Sequence, residues 1–91
     1  MSLLDEADVE KRMKELKDWK RDGEFISKDF TFPSFPEAIA FIVRVGFLAE
    51  EHGHHPNLSN VYTNVTIKFS THDAGGLTEK DFAIASAVDA L

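Results

Sequence analysis

The chain has 91 residues, 16 of them acidic and 10 basic, and a formal net charge of −6. This length predicts one domain over residues 1–91, and the acidic balance without a basic stripe argues against a nucleic-acid partner. The absence of cysteine excludes disulfides, thiolate catalysis and cysteine-based zinc sites, and no apolar run reaches the roughly 18 residues that would span a membrane.

The first predicted element is an amphipathic helix that Asp5 caps and that ends near Leu16. Val9, Met13 and Leu16 recur at the spacing of one helical face and form its apolar stripe. Because this opening segment is charged and helical rather than a secretory signal, we expect a cytoplasmic protein. Trp19 follows the helix and is predicted to be a partly buried core residue.

A hairpin is predicted next. Asp22-Gly23 is a strong turn signal, and the residues on either side of it suit paired strands. The second strand is expected to run from about Glu24 to Phe32, where Pro33 ends it.

A second helix is predicted from Ser34 to about Glu51, with Gly53 as its stop signal. Ser34 can accept a hydrogen bond from the backbone N–H of Glu37 while the Glu37 carboxylate reaches back, which is a capping box. The apolar side chains of this helix cover more than one stripe, and they are Ile39, Phe41, Ile42, Val43, Val45, Phe47 and Leu48. One sheet in so short a chain cannot cover them all, so we infer that part of this helix faces another subunit.

A second pair of strands follows the helix. Ser59–Tyr62 is the first strand, Tyr62 is expected to pack, and Thr63-Asn64 is the predicted turn. Residues Val65–Ser70 alternate apolar and polar side chains, which is typical of a half-buried strand. If that strand stays extended, His72 falls on its polar face.

A last helix is predicted from Thr78 to the C-terminus, with Phe82, Ala85 and Val88 in its apolar stripe. The element order is then α-β-β-α-β-β-α. Strand pairs joined by turns, with helices between the pairs, predict an α+β fold in which a four-stranded antiparallel sheet carries the helices on one face.

Four histidines are crowded near the middle of the chain, and they are His52, His54, His55 and His72. The unperturbed pKa of imidazole, about 6.5, lies near neutral pH, so a cluster of imidazoles suits general acid–base catalysis. Two carboxylates could hold such rings in one tautomer. They are Glu50, four residues before His54, and Asp81, in the first turn of the last helix.

Two other interpretations stay open on the residues alone. Three histidines and a water form a known catalytic zinc pattern, although His54 and His55 are adjacent and would point apart in an extended chain. Alternatively, the rings are solvent-exposed loop histidines. His52, at the end of the second helix, is interpreted as structural because a helix C-terminus favours a cation.

The spacing of these groups resembles the signature of the pterin-4a-carbinolamine dehydratases. The shared pattern is Glu50-x3-His54-His55-Pro56-x5-Tyr62-x9-His72-x8-Asp81, and the segment from His72 to Thr78 is similar as well. The resemblance covers nearly the whole chain, from the first helix through the last.

The resemblance implies a hydro-lyase that removes water from 4a-hydroxy-tetrahydropterin. The product is the quinonoid dihydropterin, so the enzyme recycles the pterin cofactor of aromatic amino acid hydroxylases. The resemblance also implies that His55 and His72 handle protons while His54 binds the substrate or assists. Glu50 and Asp81 then orient imidazoles or contact the amino-pyrimidinone edge of the pterin.

Other expectations follow from the same resemblance. Trp19 falls near a tryptophan that borders the family's pocket, and Pro56 lies within the motif, so both are candidate substrate-binding or orienting residues. No metal and no organic cofactor beyond the pterin substrate is implied. Homodimers or homotetramers are implied, in agreement with the apolar second helix. The alternative function is a protein-interaction module, for coactivation or dimerisation, that retains the fold.

Overall fold

The computed structural model describes residues 2–91, and Met1 lies outside the described residues. The helices are α1 (Glu6–Glu15), α2 (Phe35–His52) and α3 (Glu79–Asp89), and the strands are β1 (Lys20–Asp22), β2 (Phe25–Thr31), β3 (Asn57–Val61) and β4 (Asn64–Phe69). A single turn of 3-10 helix covers His72–Ala74. The predicted α+β fold and its element order are confirmed. None of the helices in residues 2–91 combines the length and apolarity that a bilayer crossing requires.

The strands form one antiparallel sheet in the order β1-β2-β4-β3. In its centre, Ile26 of β2 pairs with Phe69 of β4. The alternation predicted for β4 holds, because Val65, Ile67 and Phe69 are fully buried while the residues between them keep part of their surface. The helices cover this apolar face of the sheet, and the core lies between the two layers.

The second hairpin turns one residue earlier than expected. Its two-residue turn is Tyr62-Thr63 rather than Thr63-Asn64, and β3 begins at Asn57. The side-chain amide of Asn60 donates to the backbone oxygens of Tyr62 and Asn64, which closes the turn. Tyr62 consequently adopts a positive φ of 53° and is 70% exposed, so the expectation that Tyr62 packs is wrong.

The helices begin at polar caps, as the sequence predicts. The side chain of Asp5 caps α1, and the Ser34 hydroxyl accepts from the backbone N–H of Glu37, 3.4 Å away. Within residues 2–91, only this Ser34 half of the predicted capping box of α2 is formed. In α3 the box is complete, because Thr78 and Asp81 each bond to the backbone of the other.

Helix α2 carries apolar side chains on two sides. The side toward the sheet buries Ala38, Val45 and Ala49. The other side exposes an apolar row at steps of four residues, which we name the outer stripe, and it consists of Phe35, Ile39, Val43 and Phe47. Phe47 is 75% exposed, so the outer stripe has no cover within the described chain.

Candidate functional site

Three of the four histidines border one surface hollow of about 390 Å³, which we name the first hollow. His54 and His55 follow the end of α2, and His72 begins the 3-10 turn after β4. Lys80, in the first turn of α3, also lines the hollow. The hollow therefore lies where the C-terminal ends of α2 and β4 approach the N-terminal end of α3.

The end of α2 sends the adjacent rings of His54 and His55 in different directions. Gly53 ends the helix in the left-handed conformation, with φ of 59°, which glycine adopts without a steric cost. The backbone N–H of His54 still bonds to the carbonyl of Ala49, 3.0 Å away. As a result the His54 side chain is turned inward and is 11% exposed, whereas that of His55 is 67% exposed.

His54 is anchored by a buried carboxylate. Its Nε2 lies 2.6 Å from Oδ1 of Asp81, which is fully buried, and its ring stacks on Phe69 with centroids 6.0 Å apart. A buried carboxylate is stable only when hydrogen bonds satisfy its oxygens. The contacts of Oδ2, the second oxygen of Asp81, therefore help to determine which nitrogen of the His54 ring carries the proton.

Two further donors meet the other oxygen of Asp81. The Thr71 hydroxyl donates to Oδ2 at 2.8 Å, and the backbone N–H of Thr78 donates to the same atom at 2.9 Å. The Thr78 hydroxyl lies 2.7 Å from that of Thr71 and donates to it, since the Thr71 proton is already used. With the Asp81 side chain as the acceptor of all these bonds, Nε2 of His54 is the donor to Oδ1, which leaves Nδ1 as the nitrogen for other partners.

Glu50 holds a different ring from the one that its spacing suggests. Its Oε1 lies 3.2 Å from Nε2 of His55, and both side chains are mostly exposed. Glu50 lies four residues before His54, but the turn at Gly53 takes His54 into the interior and leaves His55 beside the helix end. Being exposed, this pair orients the His55 ring rather than adding appreciable stability.

His72 reaches the hollow from a closed loop rather than from an extended strand. Strand β4 ends at Phe69, so the condition for His72 to share its polar face is not met. Instead the backbone N–H of Thr71 bonds to the carbonyl of Gly76, 2.9 Å away, and closes the loop around His72. Gly75 takes a positive φ of 77° within this loop.

Neither Trp19 nor Pro56 lines the first hollow. Trp19 is 6% exposed, donates its Nε1–H to Asp89 at 2.9 Å and packs on Phe69, whose ring also stacks on His54. It thus supports the His54 ring through Phe69 without lining the first hollow. Pro56 lines an adjoining second hollow.

Two lining residues were not among the candidate site residues. Ser70 and Lys80 also line the first hollow, although neither belongs to the histidine–carboxylate pattern. Lys80 lies next to Asp81 in the first turn of α3, and that neighbourhood is the one hint that could have identified it. His52 ends α2 and does not line the hollow. No three acidic or histidine side chains within residues 2–91 are grouped as metal ligands.

Comparison with known proteins gives one consistent result. The family model described as Pterin 4 alpha carbinolamine dehydratase matches residues 2–91. A protein of Roseiflexus castenholzii, provisionally named a pterin-4-alpha-carbinolamine dehydratase, is 51% identical over 90 residues, which are 99% of this chain and 97% of that protein. A provisionally named dehydratase of Thermomicrobium roseum is 41% identical over 93% of this chain and 91% of its own length.

Two solved structures share both fold and sequence with the chain. The crystal structure of a transcriptional coactivator/pterin dehydratase from Brucella melitensis matches with a TM-score of 0.91 and 30% identity, over 96% of this chain and 95% of that one. A pterin dehydratase-like protein, described as a RuBisCO assembly factor in the alpha-carboxysome, matches with a TM-score of 0.69 and 32% identity, over 81% and 88%.

Proposed function

Because this chain belongs to the Pterin 4 alpha carbinolamine dehydratase family, we propose that it removes water from 4a-hydroxy-tetrahydropterins. The product is the quinonoid dihydropterin, and the proposed role is cytoplasmic recycling of the pterin cofactor of aromatic amino acid hydroxylases. The observation that carries the proposal is the meeting of His54, His55 and His72 at one hollow. Its volume, about 390 Å³, lies within the range of roughly 300–1,000 Å³ that is usual for small-molecule sites.

The reaction needs one acid and one base. The C4a–O bond breaks as the hydroxyl accepts a proton and leaves as water, while the N5 proton passes to a base and a C4a–N5 double bond forms. An imidazole whose pKa lies near the working pH can serve in either step. We assign the two steps to His55 and His72, which are both exposed and border the same hollow.

The remaining site residues are assigned to binding and orientation. Asp81 has no exposed surface and is used by three donors, so it holds the His54 ring instead of meeting the pterin. His54 then binds or orients the substrate through its free nitrogen. Glu50 orients His55 through the contact with its Nε2, and Trp19 supports the His54 ring by packing on Phe69.

A dehydration assay tests the proposal directly. The carbinolamine is generated from a tetrahydropterin, and its loss is followed by absorbance at neutral pH with and without the protein. We expect the protein to accelerate the loss in proportion to its concentration. A rate that is unchanged by the protein would contradict the proposed dehydratase activity.

The proposed mechanism uses no metal and no organic cofactor, because paired imidazoles supply both the acid and the base. We therefore expect protein purified without a histidine tag to contain only sub-stoichiometric zinc and iron, and to keep its activity after treatment with a chelator. Elemental analysis measures the metal content, and the dehydration assay measures the activity after treatment with the chelator. Stoichiometric zinc or iron whose removal abolishes activity would contradict the mechanism.

The outer stripe supports the proposal that the protein is a homodimer or homotetramer. Four exposed apolar side chains in one row are the kind of contiguous patch that marks an interaction surface. We expect Val43→Glu, at the middle of the stripe, to shift the assembly toward monomers, because a buried unpaired carboxylate is costly. Light scattering measures the change, and Ala83→Glu, at an exposed position on α3, is the matched control. Equal masses for both variants and the parent would exclude the outer stripe as the interface.

A protein-interaction module is the second candidate function. The exposed outer stripe favours it, as do the descriptions of the two similar structures as a coactivator/dehydratase and an assembly factor. A variant with both His55 and His72 replaced by alanine separates the candidates. If that variant retains the biological role in a cell lacking the native protein, the role is one of binding; if it does not, the role requires catalysis.

A further inference from the structure

A second hollow, of about 380 Å³, adjoins the first, and the walls that it does not share have no role in the two proton transfers described so far. The two hollows share His55, Ser70 and His72 as their common border. The walls that belong to the second hollow alone include Glu24, Phe25, Pro56 and Asn57. The proton-handling pair therefore lies between two spaces of similar size.

The register of the sheet brings the β1–β2 turn to this place. Gly23 and Glu24 form the two-residue turn, and Gly23 supplies its positive φ of 61°. Since Ile26 pairs with Phe69, the turn lies beside the end of β4, next to the loop that carries His72. Glu24 and Phe25 thus line the same hollow as His55 and His72, although about 30 and nearly 50 positions of sequence separate them.

The chemistry of the substrate determines what could occupy the second hollow. In a 4a-hydroxy-tetrahydropterin the atoms C4a, N5 and C6 follow one another in the ring. The hydroxyl leaves C4a, the proton leaves N5, and the variable side chain is attached to C6, one bond from N5. Wherever the ring is held, the side chain must therefore emerge close to the groups that exchange protons.

We propose that the second hollow holds the C6 side chain of the pterin and that Glu24 selects against negatively charged side chains. The inference rests on the proposed dehydratase function. No lysine or arginine lines this hollow, whereas Lys80 lines the first one only. Glu24 has no ion pair among the described residues. Lys68, whose Nζ lies 6.0 Å from the centre of the Phe25 ring, is itself paired with Asp22 at 3.3 Å.

The neutral part of the lining suits a short hydroxylated or alkyl side chain. Phe25 and Pro56 offer apolar surface, and Asn57 and Ser70 offer hydrogen-bonding groups without charge. A carboxylate on the substrate would meet Glu24 as a like charge, and the repulsion would be moderate because Glu24 is exposed. The substrate class expected is accordingly a pterin with an uncharged C6 group.

The test compares two carbinolamines, one with a methyl group and one with a carboxylate-bearing group at C6. In the parent protein kcat/KM should favour the methyl compound. Glu24→Gln should raise kcat/KM for the anionic compound by about three- to tenfold and leave that for the methyl compound within about twofold. Glu24→Lys should raise it further, and added salt should shrink both effects. The two carbinolamines differ in intrinsic reactivity, but this difference cancels because kcat/KM for each compound is compared between the parent protein and the variants.

Glu10→Gln is the matched control, since Glu10 is an exposed carboxylate on α1 that lines neither hollow. It should leave both values unchanged. Glu24→Gln and Glu24→Lys could leave the ratio of kcat/KM for the two compounds as it is in the parent protein. In that case the proposed side-chain subsite is wrong, although the protein is active. If the parent protein turns over neither compound, the proposed function itself has failed.

Discussion

Replacing His72 with alanine is expected to reduce kcat for carbinolamine dehydration by about 10²- to 10⁴-fold, the usual contribution of a positioned acid or base. His55→Ala should fall in the same range, because each ring is assigned one of the two proton transfers. Both side chains are exposed at the hollow, so neither change should lower the thermal midpoint appreciably. Stopped-flow absorbance of the carbinolamine and a thermal melt of each variant provide the two readouts.

His52→Ala is the control for this experiment. His52 lies in the last turn of α2 beside the same segment, yet it does not line the first hollow. Its removal should leave kcat near the parent value and affect only the helix end, where a histidine contributes by favourable interaction with the helix dipole. A large loss in His52→Ala together with normal rates in the other two variants would show that the site has been misplaced.

Removing the Asp81 side chain is expected to have the largest effect on stability. Asp81→Ala leaves three former donors without their acceptor in the interior: the His54 ring, the Thr71 hydroxyl and the backbone N–H of Thr78. A buried donor left without its acceptor costs about 1–3 kcal/mol of the free energy of unfolding, and three donors lose theirs here. Urea denaturation measures that loss, and Asp18→Asn, at an exposed carboxylate with no side-chain hydrogen bond, should be close to neutral.

Asp81→Asn separates orientation from folding. The amide oxygen can still accept from Thr71 and Thr78, but its NH₂ group then faces Nε2 of His54 and donates to it. The proton of His54 must move to Nδ1, and the nitrogen available to the substrate becomes a donor. The ¹⁵N chemical shifts of His54 should show this reversal of tautomer together with a fall in kcat. An unchanged tautomer would contradict the assignment of Asp81 as the group that orients the ring.

Local signals predicted most of the elements. Polar caps and turn glycines mark the helix ends, and the alternation along β4 identifies its buried face. One exception is Tyr62, for which packing is the wrong prediction. The amide of Asn60 closes the turn one residue early, and neither propensity nor hydrophobic pattern signals such a bond between a side chain and the backbone.

The site was predictable only where its members are linked by short spacing or by a helix start. Asp81 was named as a partner for an imidazole, and it holds His54. Glu50 could not be matched to its ring from spacing, because the left-handed turn at Gly53 redirects the chain between them. Glu24 lies at the site through the pairing of β2 with β4, and such long-range register cannot be read from one sequence.

The carboxylate of Asp81 serves two structures at once, since it closes the capping box of α3 and fixes His54. Fraying of the first turn of α3 would therefore release the imidazole at the same moment. This end of the helix cannot open locally while the His54 ring stays held, so release of the ring is tied to the opening of that turn rather than to global unfolding.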